Sequence, residues 1–168
     1  MAEFSATPLT GCAPLVVTFK DQSTGGPKFW NWDFGNGQFS NVQNPVVVYT
    51  QPGIYSVTLV VKNASGTHGI TKTDYIVVNP SPQANFAANI TTGCVPVNVQ
   101  FSDLSIDTAG SITSWEWDFG DGGISHDQNP SHVYSDTGRF SVRLIAGSNG
   151  CVDSLTMNGF IYIKPPIA

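Results

Sequence analysis

Trp30-Asn31-Trp32-Asp33-Phe34-Gly35-Asn36-Gly37 is answered later in the chain by Trp115-Glu116-Trp117-Asp118-Phe119-Gly120-Asp121-Gly122. The match extends outward from this pair in both directions. Upstream, Gly11-Cys12-Ala13-Pro14 is echoed by Gly93-Cys94-Val95-Pro96. Downstream, Asn44-Pro45 and Tyr49 return as Asn129-Pro130 and Tyr134, and Tyr55-Ser56-Val57-Thr58-Leu59 as Phe140-Ser141-Val142-Arg143-Leu144. Cys12 and Cys94 lie 82 residues apart but Trp32 and Trp117 lie 85 apart, so an early loop is three residues longer in the second copy. This period exceeds the roughly 20 to 50 residues of most solenoid repeats, so each copy is expected to be a complete small domain. The boundary is placed between residues 1–80 and 81–168, at Asn79-Pro80-Ser81-Pro82-Gln83, where the prolines favour extended backbone over a flexible hinge.

Short alternating stretches surround the repeated motif. Leu15, Val17 and Phe19 point one way while Thr18 and Lys20 point the other; the second copy repeats this with Val97, Val99 and Phe101. Tyr55, Val57, Leu59 and Val61 form another such face, matched by Phe140, Val142, Leu144 and Ala146. Tyr75-Ile76-Val77-Val78 and Phe160-Ile161-Tyr162-Ile163 read as closing strands. Period-two alternation means strands with one buried face. Gly35-Asn36-Gly37 and Gly120-Asp121-Gly122 suit tight hairpins, and Gln51-Pro52-Gly53 suits a type II turn. No window shows helical periodicity. The expected fold is all-β: two tandem immunoglobulin-like β-sandwiches joined by a short proline-containing linker.

Composition narrows the functional classes. Charged residues are 11% of the chain, against about 25% in ordinary soluble domains, which suits an extracellular β protein. The first unit balances four Lys against Glu3, Asp21, Asp33 and Asp74, while the second sets eight acids against Arg139, Arg143 and Lys164. There is no basic patch for a phosphate backbone, so nucleic acid is excluded as a partner. Apolar runs are too short for a membrane-spanning helix, so membrane insertion is not expected. Met1-Ala2-Glu3-Phe4 enters the repeat at once, without the pattern of a secretory signal, and the chain is read as a segment of a larger exported protein.

The run Trp117-Asp118-Phe119-Gly120-Asp121-Gly122, followed by Asn129-Pro130, Val133-Tyr134, Gly138 and Phe140-Ser141-Val142, resembles the signature of polycystic-kidney-disease (PKD) repeats. The first unit resembles it too, with Asn36 in place of the second acidic residue. The resemblance implies an immunoglobulin-like sandwich from the extracellular region of a surface protein, adhesin, protease or polysaccharide-degrading enzyme. It implies no single activity. The Gly-Cys opening and the cysteine near the last hairpin are similar to versions in large secreted bacterial surface proteins.

Three cysteines are present. Cys94 opens an early strand and Cys151 precedes the last strand of the same unit, so a disulfide between them is expected, closing a loop of about 58 residues for at most about 4 kcal/mol. Cys12 is the counterpart of Cys94, but Gly66 stands where Cys151 would be matched, which leaves Cys12 unpaired or available to another chain or domain. Trp32 and Trp117 are expected in the core. Trp30 and Trp115, nearer the strand starts, are candidates for stacking on sugar rings. Some PKD-like domains hold calcium on an Asp-rich loop before the Trp-Asp-Phe-Gly motif together with its Asp. By that resemblance Asp103, Asp107 and Asp118 are the candidate ligands in the second unit, although Ala109 stands where a further acid is expected. The alternative role for Asp33 and Asp118 is to accept hydrogen bonds from loop backbone. Asn63-Ala64-Ser65 and Asn89-Ile90-Thr91 fit the N-glycosylation pattern, and Asp107-Thr108-Ala109 and Asp153-Ser154-Leu155 resemble bacterial O-glycosylation signals. His68, His126 and His132 have no repeated acid or nucleophile beside them, so no enzyme activity is expected.

The leading expectation is a non-catalytic extracellular spacer and adhesion segment whose partners are other domains of the same exported protein and a surface protein or polysaccharide. The alternatives are a carbohydrate-binding accessory module of a secreted hydrolase, and a protein-recognition module in which sheet edges or the acidic loops carrying Asp107, Asp121 and Asp127 receive a basic partner.

Overall fold

The computed structural model describes residues 1–108 and 110–166. It divides into two compact units that meet in sequence between Pro80 and Ser81. Every regular element is a strand, and among the described residues there is no helix.

In the first unit the strands are β1 (Phe4–Thr7), β2 (Thr10–Cys12), β3 (Leu15–Asp21), β4 (Phe29–Asp33), β5 (Phe39–Ser40), β6 (Val46–Tyr49), β7 (Gly53–Asn63) and β8 (Gly66–Asn79). One sheet has the order β1-β3-β6, the other β2-β8-β7-β4-β5. The second unit repeats them as β9 (Phe86–Ala88), β10 (Thr92–Cys94), β11 (Val97–Asp103), β12 (Ser114–Asp118), β13 (Ile124–Ser125), β14 (Ser131–Tyr134), β15 (Gly138–Ser148) and β16 (Cys151–Lys164). Its sheets are β9-β11-β14 and β10-β16-β15-β12-β13. Pairing is antiparallel except at β2–β8 and β10–β16, where a three-residue strand lies parallel to the end of the longest strand.

The alternation seen in the sequence sets which face is buried. Val17, Phe19, Trp32, Phe34, Tyr49, Val57, Leu59 and Ile76 fill the first core. Val99, Phe101, Trp117, Phe119, Tyr134, Val142, Leu144 and Ile161 fill the second. The rings pack at angles in the same way in both: Phe4 meets Trp32 edge-on at 5.1 Å between centroids, and Phe86 meets Trp117 at 5.3 Å. Each buried indole N–H donates to a backbone carbonyl, Trp32 to Val42 at 2.9 Å and Trp117 to Asp127 at 2.9 Å. That removes the penalty of a buried unpaired donor.

Each long hairpin carries the same β-bulge: residues 73–75 of β8 face the single Ser56 of β7, and residues 158–160 of β16 face the single Ser141 of β15. The middle residue of each bulge is left-handed, Asp74 (φ 50°) in the first unit and Gly159 (φ 58°) in the second. Their N–H groups donate to Ser56 Oγ and Ser141 Oγ, both at 3.0 Å. The type II turn expected at Gln51-Pro52-Gly53 is not formed. Gly53 already belongs to β7 and does not take the left-handed φ that such a turn requires at its third residue.

Candidate functional site

The Trp-Asp-Phe-Gly segment leaves the β4 or β12 strand and enters a loop that its own carboxylate closes. Asp33 Oδ1 accepts from the Gly35 N–H at 2.9 Å, and Asp118 Oδ1 from the Gly120 N–H at 2.9 Å. The backbone-capping role foreseen for these acids is therefore the one they fill. Gly35 (φ 73°) lies 2.5 Å, measured from where a Cβ would stand, from the carbonyl oxygen of Ser56; at Gly120 (φ 82°) the obstacle is the carbonyl of Ser141. Only glycine satisfies both the conformation and the close approach.

Trp30 and Trp115 are half-buried, each fixed by a carboxylate at the end of a strand of the other sheet. Trp30 Nε1 donates to Asp21 Oδ2 at 2.8 Å, and Gln43 Nε2 donates to the same oxygen at 3.1 Å. In the second unit Trp115 Nε1 donates to Asp103 Oδ2 at 2.8 Å, with Gln128 Nε2 at 3.5 Å. Burial raises the Asp21 pKa, but hydrogen bonds from Ser23, Trp30 and Gln43 outweigh it and hold the carboxyl below its ordinary range.

The candidate calcium ligands have separate employments. Asp103 receives Trp115 and the Ser105 N–H, Asp107 receives the hydroxyl of Ser148, and Asp118 closes its own loop. Among the described residues no group of three or more His, Cys, Asp or Glu is placed to hold a metal ion. The described residues therefore do not bring Asp103, Asp107 and Asp118 together as part of the six to eight converging oxygens that a calcium ion takes. Ala109, of the Asp107-Thr108-Ala109 signal, lies outside the described residues.

The cysteine assignment requires correction. Cys94 is the free thiol, half-buried, whereas Cys12 and Cys151 are disulfide-bonded. The reason is the length of β16. Cys94 pairs beside Lys164 at one end of that strand, and Cys151 begins it at the other. Fourteen residues of strand separate the two Cα atoms by about 40 Å at roughly 3.3 Å per residue, where a disulfide spans less than about 7 Å.

Two features escaped the sequence reading. His132 stacks on Phe119, with centroids 4.2 Å apart and planes 9° from parallel, and its Nε2 lies 2.7 Å from Asp121 Oδ2. Burial raises the Asp121 pKa, but hydrogen bonds from His132 and the Gly123 N–H and the His132 charge bring it below the ordinary carboxylate value. The second feature is the solvent face of the five-stranded sheet in the first unit. Phe29 and Phe39 are 66% and 67% exposed there, on the face that also carries Asn31 and Asp33 of β4. Thr58 and Lys62 of β7 stand opposite Asp33 and Phe29. The signal was present in the sequence: Phe29 is out of phase with Trp30 and Trp32, so it must face away from the core. In the second unit the same places hold Ser114 and Ile124.

A repeated two-sheet sandwich with a capped Trp-Asp-Phe-Gly loop defines an immunoglobulin-like module. The family model described as "PKD domain" matches residues 5–78 and again 79–159, and the chain belongs to the PKD domain family as two tandem copies. Over 152 residues (88% of the chain, 16% of the relative) it is 34% identical to the pre-pro-metalloprotease PrtV of Vibrio cholerae. Over 79 residues (46% of the chain, 8% of the relative) it is 44% identical to collagenase ColQ1 of Bacillus cereus. The chain therefore spans less than a fifth of the length of these curated relatives. Among solved structures, the PKD1 domain of Vibrio anguillarum Epp is 28% identical, with a TM-score of 0.45 over 51% of this chain and 99% of that one. The titin I-band fragment I67-I69 shares the fold alone, at 12% identity and a TM-score of 0.50 over 99% of this chain and 66% of that one. The two family matches together run from residue 5 to residue 159 of the 168.

Proposed function

We propose that the chain is a non-catalytic spacer and adhesion segment of a larger extracellular protein, placing a functional domain at a set distance from its anchor or substrate. The observation that carries this reading is the match to PrtV, which covers 88% of the chain but only 16% of that metalloprotease. A segment of this kind is an accessory to chemistry done elsewhere. Two closed sandwich cores, each with its aromatic cluster, suit a part that must keep its shape under load. Small-angle scattering of the whole chain tests the spacer role. One narrow distance distribution is expected, and a broad one from independently tumbling units overturns it.

A second reading, binding of a neutral polysaccharide by the same accessory segment, is favoured by the exposed Phe29 and Phe39. Two rings flanked by Asn31, Asp33 and Thr58 offer stacking surface together with hydrogen-bonding groups, and Lys62 balances Asp33 in charge. Trp30 and Trp115 remain candidate contacts, through the ring area that stays exposed. Depletion on insoluble chitin, cellulose and peptidoglycan separates the assignments. Retention lost in Phe29→Ala and Phe39→Ala but kept in Trp115→Ala supports the first-unit face; no retention on any of the three removes this reading.

A further inference from the structure

The second unit is acidic, with eight Asp and Glu against Arg139, Arg143 and Lys164, yet two of its three cations stand together. β10, β16 and β15 lie side by side, and their pairing sets Thr92, Tyr162 and Arg139 in one row across the three strands. Lys164 is two residues beyond Tyr162 on β16 and so stands on the same face of the sheet. The Arg139 guanidinium carbon lies 4.4 Å from the centroid of the half-buried Tyr162 ring, and Lys164 Nζ lies 5.7 Å from the same centroid. The stem of Arg139 runs beside Gly159, where a Cβ would come within 3.9 Å of it. A guanidinium held by its stem and by a ring face has given up rotamer freedom before a ligand arrives, which lowers the cost of binding.

Among the described residues neither cation has a carboxylate partner; the ion pairs there are Lys72 with Glu3 and His132 with Asp121. Both side chains reach solvent, as does Thr92. Two like charges gathered on one ring repel each other, so the arrangement does not stabilise the domain by itself. Nor does the fold require it. The same four places in the first unit hold Thr10, Val77, Ile54 and Asn79, none of them charged.

We propose that Arg139 and Lys164 form a binding site for a carboxylated polysaccharide, with a uronate carboxylate as the recognised group. Arg139 offers parallel N–H groups to the two carboxylate oxygens, a fork that a guanidinium provides and an ammonium does not. Lys164 adds the second positive charge. The hydroxyls of Thr92 and Tyr162 stand in the same row and exchange hydrogen bonds with those of the sugar ring, which an acidic peptide would not supply. The unit's many carboxylates repel a polyanion elsewhere, so the attraction is confined to this end of the sheet. The site is on the second unit and takes an anion, so it is independent of the neutral-polysaccharide face on the first.

The test is a titration of the whole chain with a galacturonate hexamer, followed by backbone amide and Arg side-chain signals in nitrogen-edited NMR. The comparison ligands are the same hexamer with its carboxylates methyl-esterified, hexaglutamate, and sodium sulfate. Saturable shifts at Thr92, Arg139 and Tyr162 are expected with the galacturonate hexamer and none with its ester. Arg139→Gln should weaken binding about tenfold and Lys164→Gln about threefold, while Arg139→Lys, which keeps the charge and loses the fork, should not restore it. Arg143→Gln, whose side chain stands opposite Asp118 and Thr156, should change binding less than about twofold. An unchanged amide spectrum away from the row shows that each variant is folded. The proposal is overturned by no saturable shift with the hexamer, by equal affinity for the ester, by hexaglutamate or sulfate binding as tightly, or by equal sensitivity to Arg143→Gln and Arg139→Gln.

Discussion

At the second residue of β6, the first unit has Val47, 4% exposed and part of the core. The second unit has His132 in the same place, stacked on Phe119 and hydrogen-bonded to Asp121, where the first unit has Asn36. Asn36 Oδ1 only accepts from the Gln38 N–H, and Asp121 Oδ1 does the same for Gly123 while its other oxygen holds the imidazole. A second exchange goes with it: Gly123 stands where the first unit has Gln38, and a Cβ there would collide with the His132 ring, while Tyr49 and Tyr134 both donate to the carbonyl of the motif phenylalanine, at 3.1 and 3.0 Å. One backbone therefore accommodates either an apolar or a titratable side chain at the margin of the core, provided that the titratable one arrives with an acidic partner and with a glycine that leaves room for its ring. Burying the ring without the acid leaves a polar nitrogen unpaired.

The largest effects should fall where the units agree. Trp32→Ala and Trp117→Ala each remove a fully buried ring and the donor bonded to Val42 or Asp127. Such truncations cost about 3 to 5 kcal/mol, while a domain of this size is stable by about 4 to 12 kcal/mol. Each variant should lose exchange protection in its own unit and keep it in the other, as read by hydrogen–deuterium exchange mass spectrometry. Loss of protection in both units from one substitution would break the comparison, because it would mean that the cores are not separate.

Next in size are the exchanges at the contrasting position. Val47→His alone should destabilise the first unit by about 2 kcal/mol, and adding Asn36→Asp together with Gln38→Gly, which clears the room that Gly123 leaves for His132, should recover about 1 kcal/mol, read by urea unfolding. In the second unit His132→Val should be tolerated better when Asp121→Asn accompanies it. Acid sharpens the test. Asp121 has a folded pKa below its ordinary value, so its contribution is complete above the unfolded pKa near 3.8 and is lost as pH falls further through the folded value. Asp21 behaves in the same direction in the first unit. Below about pH 4, Asp121→Asn should flatten the fall in stability of the second unit alone, and Asp21→Asn that of the first. A slope unchanged by either substitution would place the acid sensitivity in other carboxylates.

Much of this architecture was legible because alternation is a local signal. Val17 and Phe19, Trp32 and Phe34, and Val57 and Leu59 declare a buried face two residues at a time, and the repeat doubles each declaration. What stayed hidden depends on partners distant in sequence. β2 and β10 are Thr-Gly-Cys, too short to show a period, and their parallel pairing with the end of β8 or β16 appears in no local pattern. Only four residues of each closing strand were read, against the fourteen that form it. That shortfall concealed the separation of Cys94 from Cys151 and so misassigned the disulfide. The bond from Trp30 to Asp21 was invisible for the same reason, since an indole that reads as a sugar platform is tethered from another sheet. Phe29 was overlooked beside a tryptophan pair whose phase it contradicts.

The smallest expected effect lies at the shared bulge, where the two units solve one backbone problem with different residues. The left-handed conformation costs an ordinary L-residue about 1 to 2 kcal/mol, and Asp less because its short polar side chain tolerates it. Gly159 has no such cost, and a Cβ there would meet only the Arg139 side chain at ordinary contact distance, 3.9 Å or more. Gly159→Ala should therefore destabilise the second unit by about 1 kcal/mol through backbone strain alone, with no steric part. Asp74→Gly relieves strain in the first unit but frees the unfolded chain as well, so the two contributions oppose each other and the gain should stay within about 0.5 kcal/mol. Ser56→Ala removes the hydroxyl that accepts the Asp74 N–H, and by the same bond Ser141→Ala removes the acceptor for Gly159. If the bulge is held by that bond, the two serine variants should cost the same, about 1 kcal/mol in thermal unfolding, despite the different residues opposite them. Unequal losses would show that the side chain of Asp74, and not the backbone it carries, steadies the first unit.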